Sequence, residues 1–393
     1  MNISQVNEKC CGCRNCLNIC PIGAINFEND IYGFEYPVIN KEKCIDCGLC
    51  SKKCPSINPP LNNNKVIACG VAYALDEETR RQGSSGGIFG LFAKEIIKQG
   101  GVVFGAAFDE NLKLTTTSAQ TNGELRPLYK SKYLLCDTNS SFEEIKKILE
   151  TGHIVLYTSS PCQIAALKLY LKKDYKNLLT IEFICHGVGS QTLFDKSIAY
   201  YENKKKIKIK KFEFRYKKRT TSRCFYMEYE KNGQIRKKVD YYFFFPYYYG
   251  YHKNYVVNRK NCNNCIYASK NRVADITIGD FHEIAKYCPE INREKGCSMF
   301  LVNTEKGGKW LDKVKGQMFF QPFDKEILYK NNRFSCDEIK GNKRKNTNEF
   351  FNFVVDNGFE AAFKKYLNPH KEWKKYLYYS MPVWLKNLLK KVL

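Results

Sequence analysis

The sequence predicts a small cysteine-rich α+β domain at the N-terminus, followed by a larger α/β domain built on a mixed sheet. Nine of the 19 cysteines fall within the first 54 residues, in two copies of one spacing pattern. After a Pro- and Asn-rich stretch over residues 56–64, short apolar runs alternate with amphipathic helical segments. From residue 211 the apolar residues alternate with period two, which adds antiparallel strands.

Two cysteine runs, each closed by a proline, define the N-terminal domain. They are Cys10-x2-Cys13-x2-Cys16-x3-Cys20-Pro21 and Cys44-x2-Cys47-x2-Cys50-x3-Cys54-Pro55. This spacing is typical of bacterial dicluster ferredoxins, in which the fourth cysteine of each run ligates the other cluster. It predicts one [4Fe-4S] cluster on a first set of Cys10, Cys13, Cys16 and Cys54. It predicts another on a second set of Cys44, Cys47, Cys50 and Cys20. Cys11 belongs to neither set and is predicted to be a bystander.

Composition and charge argue against several other classes of protein. Soft thiolates also select zinc, but zinc sites need one tetrahedral set with longer separations between their CxxC pairs. The net charge is +24, yet no groove-reading motif accompanies the lysine runs, so we expect no nucleic-acid partner. No run of eighteen apolar residues and no signal peptide are visible, so we expect a cytoplasmic protein with reduced cysteines.

The pattern after residue 66 alternates strands with helices. Strands are predicted over 66–72, 102–108, 154–157, 178–184 and 274–279, with a last sheet strand over 299–303. Helices are predicted over 88–98, 141–149 and 163–171, the second starting at a Ser141-x-x-Glu144 capping box. Antiparallel strands over 212–216, 225–230 and 234–239 include a hairpin turn at Asn232-Gly233. The aromatic run over 241–251 is assigned to core packing in preference to stacking on a cofactor ring.

Two turns rich in Gly, Ser and Thr join strands to helices, over residues 83–87 and 158–162. Ligands collect at the carboxyl ends of parallel strands, and backbone N–H groups at a helix start attract anions. We therefore predict a phosphate-bearing cofactor at these turns. The alternative is that both are ordinary strand-to-helix turns.

Several segments, in consistent order, resemble the family of coenzyme F(420) hydrogenase/dehydrogenase beta subunits in its ferredoxin-fused form. They are residues 81–87, 100–109, 131–133, 160–168, 185–188, the Cys262-x2-Cys265 pair and residues 274–281. The resemblance covers residues 1–310. It implies a ferredoxin-type domain over 1–60 and the family's N-terminal domain over 66–150. It further implies the family's C-terminal domain, with flavin and iron–sulfur sites, over 151–320, and a basic, aromatic extension over 321–393.

The family resemblance also implies FAD as a cofactor of the mixed-sheet domain. The residues expected to bind it are Ser84, Ser85, Gly86, Gly87, Lys132, Thr158, Ser159, Ser160, Pro161, His186 and Gly187. What it implies for activity is an iron–sulfur flavoprotein oxidoreductase. Such an enzyme passes electrons between clusters and FAD, with hydride transfer to or from an organic substrate or a deazaflavin-like coenzyme.

Four further cysteines lie in the family-like part of the chain. Cys162 and Cys185 follow predicted strands, and Cys262 and Cys265 form a CxxC pair. Strand ends at one sheet edge converge, so this core set is predicted to hold a third [4Fe-4S] cluster. The alternative is that these are packing thiols, as we expect of Cys69, Cys136, Cys224, Cys288, Cys297 and Cys336.

Catalytic roles are predicted for two residues, and the partners remain open. His186 and Asp280 follow strands and are the candidates for proton transfer. A redox partner protein or ferredoxin-like donor is expected. The alternative function is a non-catalytic electron-transfer subunit serving a partner enzyme, with cell-surface polysaccharide biosynthesis as one context. The Lys- and aromatic-rich tail over 369–393 predicts peripheral contact with the inner leaflet of the cell membrane. Docking of the tail on the chain's own core is the alternative.

Overall fold

The N-terminal domain is an antiparallel hairpin flanked by two short helices that follow the cysteine loops. The computed structural model describes residues 2–60, 66–218, 221–253, 256–332, 342–381 and 385. The hairpin pairs β1 (Ile25–Asn29) with β2 (Glu35–Ile39), and the helices are α1 (Asn15–Ile19) and α2 (Leu49–Lys52). Buried cysteines pack against Ile3, Val6 and Ile25 in one small core. The predicted small α+β domain is therefore present.

The larger part of the chain alternates strands and helices. The strands are β3 (Ala68–Ala74), β4 (Val102–Phe108), β5 (Leu114–Ala119), β6 (Val155–Ser159), β7 (Leu178–Phe183), β8 (Lys208–Lys218), β9 (Thr221–Lys231), β10 (Gln234–Tyr241), β11 (Ile276–Asp280), β12 (Ser298–Val302) and β13 (Met318–Pro322). The helices are α3 (Glu77–Gln82), α4 (Ile88–Lys98), α5 (Ser141–Glu150), α6 (Pro161–Leu171), α7 (Gln191–Lys205), α8 (Pro246–His252), α9 (Ile284–Tyr287), α10 (Glu305–Val314), α11 (Lys325–Asn332), α12 (Asn342–Tyr366) and α13 (Trp373–Ser380).

An eight-stranded mixed sheet, ordered β13-β3-β12-β11-β7-β6-β4-β5, forms the centre of this part. Strands β4, β6, β7 and β11 are parallel to one another, so their carboxyl ends lie at one edge of the sheet. β3 points the same way, because β12 runs antiparallel to both β3 and β11. We call this the carboxyl edge; Ser159, Phe183 and Asp280 are strand ends on it.

Helices cover both faces of the sheet because successive strand residues point to opposite sides. Val103 and Leu156 pack toward the face covered by α4 and α10. Val102 and Val155 pack toward the face covered by α5 and α6. The mixed α/β architecture predicted from the alternating pattern is confirmed.

A three-stranded antiparallel sheet, β10-β9-β8, packs beside the large one. Its second hairpin turns at Asn232 and Gly233, both in the left-handed region with φ of 53° and 74°, as an Asn-Gly turn requires. Tyr247, Tyr248 and Tyr249 are buried in an aromatic core beneath this sheet. The prediction that the aromatic run packs in a core is confirmed.

Three expectations about the elements need correction or qualification. The capping box at Ser141 is wrong, because α5 is capped at Ser140 without a side-chain hydrogen bond and the buried Ser141 hydroxyl has no partner among the described residues. The strand over 299–303 is not the last, since β13 adds to β3. Strands before and after residue 150 share one sheet, so the two expected family domains are interleaved in one sheet.

The C-terminal tail is only partly described. Residues 382–384 and 386–393, which carry most of the predicted amphipathic pattern, lie outside the described residues. Within α13, Trp373 is 58% exposed and Leu377 is 48% exposed. No helix in the described ranges is long and apolar enough to cross a membrane.

Candidate iron–sulfur and cofactor site

The four cysteines of the second set surround one cleft at the surface. Cys20, Cys44, Cys47 and Cys50 all line this cleft, which is partly open to solvent. The Cys47 side chain is exposed. The backbone N–H of Ala24 donates to Cys20 Sγ over 3.3 Å, a contact of the kind that tunes cluster potentials. The structure thus brings together the cysteine that crosses from the first run and the three from the second.

The four cysteines of the first set are buried and lie close to one another. Burial, reinforced by the charges of Cys10 and Cys54, raises the pKa of the Cys16 thiol well above its usual value. The hydrogen bond with Cys11, together with burial, raises the pKa of the Cys13 thiol, and the charge of Cys16 adds to this effect. The backbone N–H of Gly12 donates to Cys10 Sγ over 3.4 Å. This set lies away from solvent, whereas the second set reaches it.

The core set lies beyond the carboxyl edge. Cys162 is in the first turn of α6, Cys185 follows β7, and Cys262 and Cys265 flank the end of a 3₁₀ turn over Lys260–Asn264. Burial, with the charges of Cys185 and Cys265, raises the pKa of the Cys262 thiol. The N–H of Gly187 donates to Cys185 Sγ over 3.4 Å. Cys262 therefore lies close to Cys185 and Cys265, and the charge of Cys265 also acts on Cys162.

The chemistry of these sets fits iron–sulfur clusters. Each set offers four soft thiolate donors, and each has a backbone N–H group on a cysteine sulfur. Among the described residues, no three His, Cys, Asp or Glu side chains converge on the position of a single ion. A cubane distributes its four ligands over four iron corners, so its ligands need not converge on one point.

Cys11, which was predicted to be a bystander to the clusters, is packed against two of the cysteine sets. Its buried thiol contacts both Cys13 of the first set and Cys162 of the core set, and hydrogen bonds from those two thiols lower its pKa well below the usual value. The same apolar cluster includes Cys265. Cys11 therefore fills the space between two cysteine sets. Spacing along the chain could not reveal this contact, because its partner is 151 positions away.

Hydrogen bonds and ion pairs hold the ferredoxin-type domain against the larger part of the chain. Thr138 donates to the Cys13 carbonyl over 3.2 Å, and the Tyr267 hydroxyl donates to the Pro55 carbonyl over 2.7 Å. Arg14 pairs with Asp137 at 3.1 Å. These contacts keep the first set on the side of the core set and leave the second set facing outward.

The 84–87 loop is largely engaged by the protein itself. Ser84 Oγ accepts from the Ser131 N–H over 2.6 Å, and Ser85 Oγ donates to the Cys297 carbonyl over 2.7 Å. The N–H of Gly86 donates to Ser298 Oγ. Gly87, at a φ of 82°, starts α4. The loop lies at the carboxyl edge, with its hydroxyls already hydrogen-bonded.

The 158–161 turn shows a similar arrangement with one exception. Both Ser159 and Ser160 donate to Oε1 of Gln163, over 2.6 and 3.2 Å, while Pro161 begins α6. Thr158 Oγ1 is buried and has no partner among the described residues. The sequence pattern did not reveal Gln163 as an organising residue, although it lies inside one of the family-like segments.

Lys132, His186 and Gly187 occupy loops around the same edge. Lys132 Nζ donates to the carbonyls of Pro127 and Tyr129, and burial lowers the pKa of Lys132 to about 7. The His186 carbonyl accepts from Asn258. Gly187 has a φ of 108°, and a Cβ there would lie 2.0 Å from Asn258 Nδ2, so this turn requires glycine.

Asp280 is held in an ion pair that the sequence pattern did not reveal. Arg215, from β8, donates through both terminal nitrogens to the two carboxylate oxygens, over 2.5 and 3.0 Å. Nη2 also donates to the Ser84 carbonyl over 2.9 Å. Burial opposes ionisation of Asp280, but the charge of Arg215 outweighs it and lowers the pKa of Asp280 well below its usual value. At neutral pH the carboxylate is therefore an anchor for Arg215.

His252, at the end of α8, is a second residue that the sequence pattern did not single out. Burial lowers the pKa of His252 to about 3, and the charges of Arg223 and Arg215 act in the same direction. The imidazole is therefore neutral at pH 7. Its Nε2 and the Nε of Arg215 are buried without a partner in the part of the chain that the structure describes. Such orphaned atoms mark places where a bound polar ligand would supply hydrogen bonds.

Two family models match the chain. A 4Fe-4S dicluster domain matches residues 9–57. The family described as the C terminus of the coenzyme F420 hydrogenase/dehydrogenase beta subunit matches residues 152–326. The second match contains the whole core set.

Relatives point the same way. The F subunit of F(420)H(2) dehydrogenase from Methanosarcina mazei is 21% identical over 333 residues, which is 79% of this chain and 84% of that protein. Two uncharacterized ferredoxins of Methanocaldococcus jannaschii are 33% identical over 72 residues and 37% identical over 49 residues. These alignments span 18% and 12% of this chain, and 44% and 62% of the ferredoxins.

A chain of the F420-reducing [NiFe] hydrogenase complex from Methanosarcina barkeri aligns with a TM-score of 0.47 and 17% identity, over 76% of this chain and 96% of that chain. The resemblance predicted from the sequence motifs is confirmed by the family matches. Residues 152–326 therefore match the family described as the C terminus of the coenzyme F420 hydrogenase/dehydrogenase beta subunit, and residues 9–57, which precede them, match a 4Fe-4S dicluster domain.

Proposed function

We propose that this chain is an iron–sulfur flavoprotein oxidoreductase that passes electrons between [4Fe-4S] clusters and FAD, with hydride transfer to or from an organic substrate or deazaflavin-like coenzyme. One observation carries the proposal. The three cysteine sets lie in series, from exposed Cys47 through the buried first set to the core set at the carboxyl edge. Such a series is the arrangement expected of an electron path from the surface to a buried reaction site.

The chain's own residues would hold and orient the cofactors. The first, second and core sets would each ligate one cluster, with Cys11 packed between the first and core sets. When bound, clusters carry single electrons and a flavin exchanges them in pairs with a hydride. The carboxyl edge suits a polar cofactor, because Thr158 Oγ1, Arg215 Nε and His252 Nε2 are buried donors or acceptors without partners in the described ranges.

Proton transfer would fall to the histidines more readily than to Asp280. His186 is half-buried at the carboxyl edge and lies close to His252. Asp280 is committed to Arg215, so its protonation would require the ion pair to break. We therefore propose that His186 moves the proton and that Asp280 positions Arg215 against the 84–87 loop.

Protein partners are proposed from the relatives and from the surface. One relative is named as a subunit of F(420)H(2) dehydrogenase, and the aligned solved chain comes from a hydrogenase complex. The cleft of the second set is rimmed by Ile22 and Ile45, which are 40% and 66% exposed. We propose that a redox partner protein docks on this apolar rim.

A visible spectrum of anaerobically purified protein, with the extracted flavin identified by chromatography, tests the proposal. Broad absorbance near ~400 nm, which is the charge-transfer region of thiolate-bound iron–sulfur clusters, together with extracted FAD would support it. A colourless, zinc-loaded sample would contradict it. Iron–sulfur absorbance without flavin, and without turnover in isolation, would favour the alternative of a non-catalytic electron-transfer subunit.

A further inference from the structure

Arg259 is a buried cation that lies between the first set and the core set. Its side chain is completely buried. Nε donates to the Cys10 carbonyl over 2.7 Å, and Nη2 donates to the Glu35 carbonyl over 2.9 Å. The guanidinium also lies 4.1 Å from the ring centroid of Tyr36. The guanidinium group of Arg259 is therefore held in one orientation against the first cysteine loop.

The backbone of Arg259 is tied to the core set. Its N–H donates to the Val188 carbonyl over 2.8 Å, three residues after Cys185. Its own carbonyl accepts from the Cys262 N–H over 3.0 Å. One residue thus bridges the loop of Cys10 and the two segments that carry Cys185 and Cys262.

The positive charge of Arg259 has no carboxylate partner within the described part of the chain. The nearby acids are already paired, Glu35 with Arg14 at 2.5 Å and Glu8 with Lys260 at 2.7 Å. Among the described residues Nη1 is buried without a partner, and a Cβ on Gly12, inside the first cysteine loop, would lie 3.4 Å from it. A buried charge is costly unless an opposite charge compensates it. The missing negative charge should therefore lie on the cysteine side of Arg259.

A cubane held by four thiolates is anionic, and it gains one further negative charge on reduction. A fixed cation beside it stabilises the reduced state more than the oxidised state and so raises the reduction potential. We propose that Arg259 is the shared counter-charge of the first and core clusters. In this role Arg259 raises the reduction potentials of both clusters and holds the two cysteine loops in place relative to each other. The inference rests on the iron–sulfur part of the proposed function.

Potentiometric titration under anaerobic conditions, followed by EPR, tests this role. Arg259→Gln keeps an N–H donor but removes the charge. Arg259→Lys keeps the charge but lacks the planar guanidinium group. We expect Arg259→Gln to disfavour reduction of both the first and the core cluster by about tenfold, equal to about 59 mV for a one-electron couple. Arg259→Lys should stay closer to the wild-type potential. Arg236→Gln, at an exposed position on β10, serves as the matched control and should change nothing.

Iron content is measured on every sample, so that loss of a cluster can be distinguished from a change in its reduction potential. Loss of iron from Arg259→Gln with retention in Arg259→Lys would also support a counter-charge. Full iron content with wild-type potentials in Arg259→Gln would overturn the inference. Equal loss of iron from both variants would also overturn it, because it would indicate that the guanidinium group has a purely structural role. Wild-type protein without iron would instead contradict the proposed function, before any variant is compared.

Discussion

Arg215 and Asp280, which are 65 positions apart in the sequence, form a bidentate ion pair with N–O distances of 2.5 and 3.0 Å. The pair joins β8 to the end of β11, and the Ser84 carbonyl accepts from the same guanidinium. Arg215 has a φ of 55°, an uncommon conformation for a residue other than glycine. The ion pair therefore fixes the geometry of the carboxyl edge where the cofactor is proposed to bind.

Asp280→Asn should destabilise the protein by about 2 kcal/mol at pH 7, because it leaves a buried guanidinium without its charged acceptor. The Asp280 side chain is only 25% exposed, so solvent screens the pair weakly. The pKa of Asp280 is lowered in the folded state. Its stabilising contribution is therefore present above the unfolded pKa, roughly 3.9, and is lost as pH falls through the folded pKa.

Thermal unfolding of anaerobic samples across a pH series measures this effect. The difference between wild type and Asp280→Asn should be full at pH 7 and should shrink as the pH is lowered below about 4. Asp312→Asn, which removes an exposed carboxylate from α10, is the control. Equal melting temperatures for wild type and Asp280→Asn at pH 7 would refute the prediction.

Iron content should distinguish three clusters from two. Three cubanes require about twelve irons per chain, and two require about eight. Cys162→Ser and Cys262→Ser should each lower a content of about twelve to about eight. Cys69→Ser should not, because Cys69 donates to the Phe323 carbonyl away from the three sets. Cys11→Ser should also retain all the iron, since Cys11 is packed between sets and is not a predicted ligand. A wild-type content of about eight would eliminate the third cluster.

Gly12→Ala should weaken the seating of the first cysteine loop. Gly12 has a φ of 72°, and an added Cβ would lie 2.5 Å from Leu135 Cδ2 in the larger part of the chain. Gly23 has a φ of 60° but no atom within 4 Å of a Cβ. Gly23→Ala should therefore cost only about 1–2 kcal/mol of backbone strain, whereas Gly12→Ala adds a steric clash.

Thermal stability and iron retention are measured together for the two glycine variants. Gly12→Ala should show the larger drop in melting temperature and a faster loss of iron during gel filtration. If both variants behaved alike, the contact between the first loop and Leu135 would not matter for seating the cluster.

Ile45→Glu should slow electron exchange with a protein donor but not with a small one. A glutamate on the apolar rim of the second-set cleft would have to be desolvated when a partner docks. The rate of reduction is measured with reduced two-cluster ferredoxin as the protein donor and dithionite as the small donor. Ile31→Glu is the matched control, because Ile31 is 71% exposed and lies in the β1–β2 turn, outside the cleft. Equal slowing by both variants, or slowing with dithionite, would argue against docking at this rim.

Features that depend on neighbours along the chain could be predicted from the sequence alone. The two cysteine runs predicted the dicluster domain, because a cubane is bound mainly by ligands spaced two and three residues apart. The apolar period predicted α4 and β4 with their observed bounds, and Asn232-Gly233 predicted its hairpin. The ordered family-like segments predicted the family whose model matches residues 152–326.

Which distant residues meet at the candidate site depends on the three-dimensional fold and could not be predicted from local patterns. Cys11 contacts Cys162, Arg215 pairs with Asp280, and Arg259 reaches the carbonyl of Cys10 across 249 positions. The pairing of β13 with β3 was likewise not predicted from the sequence. No local period encodes such pairs, because they arise when strands far apart in sequence align in one sheet and bury the loops at its carboxyl edge. Residue spacing predicts contacts within one turn or one strand. The burial of charged side chains and cysteine thiols depends instead on how distant segments pack in the folded protein.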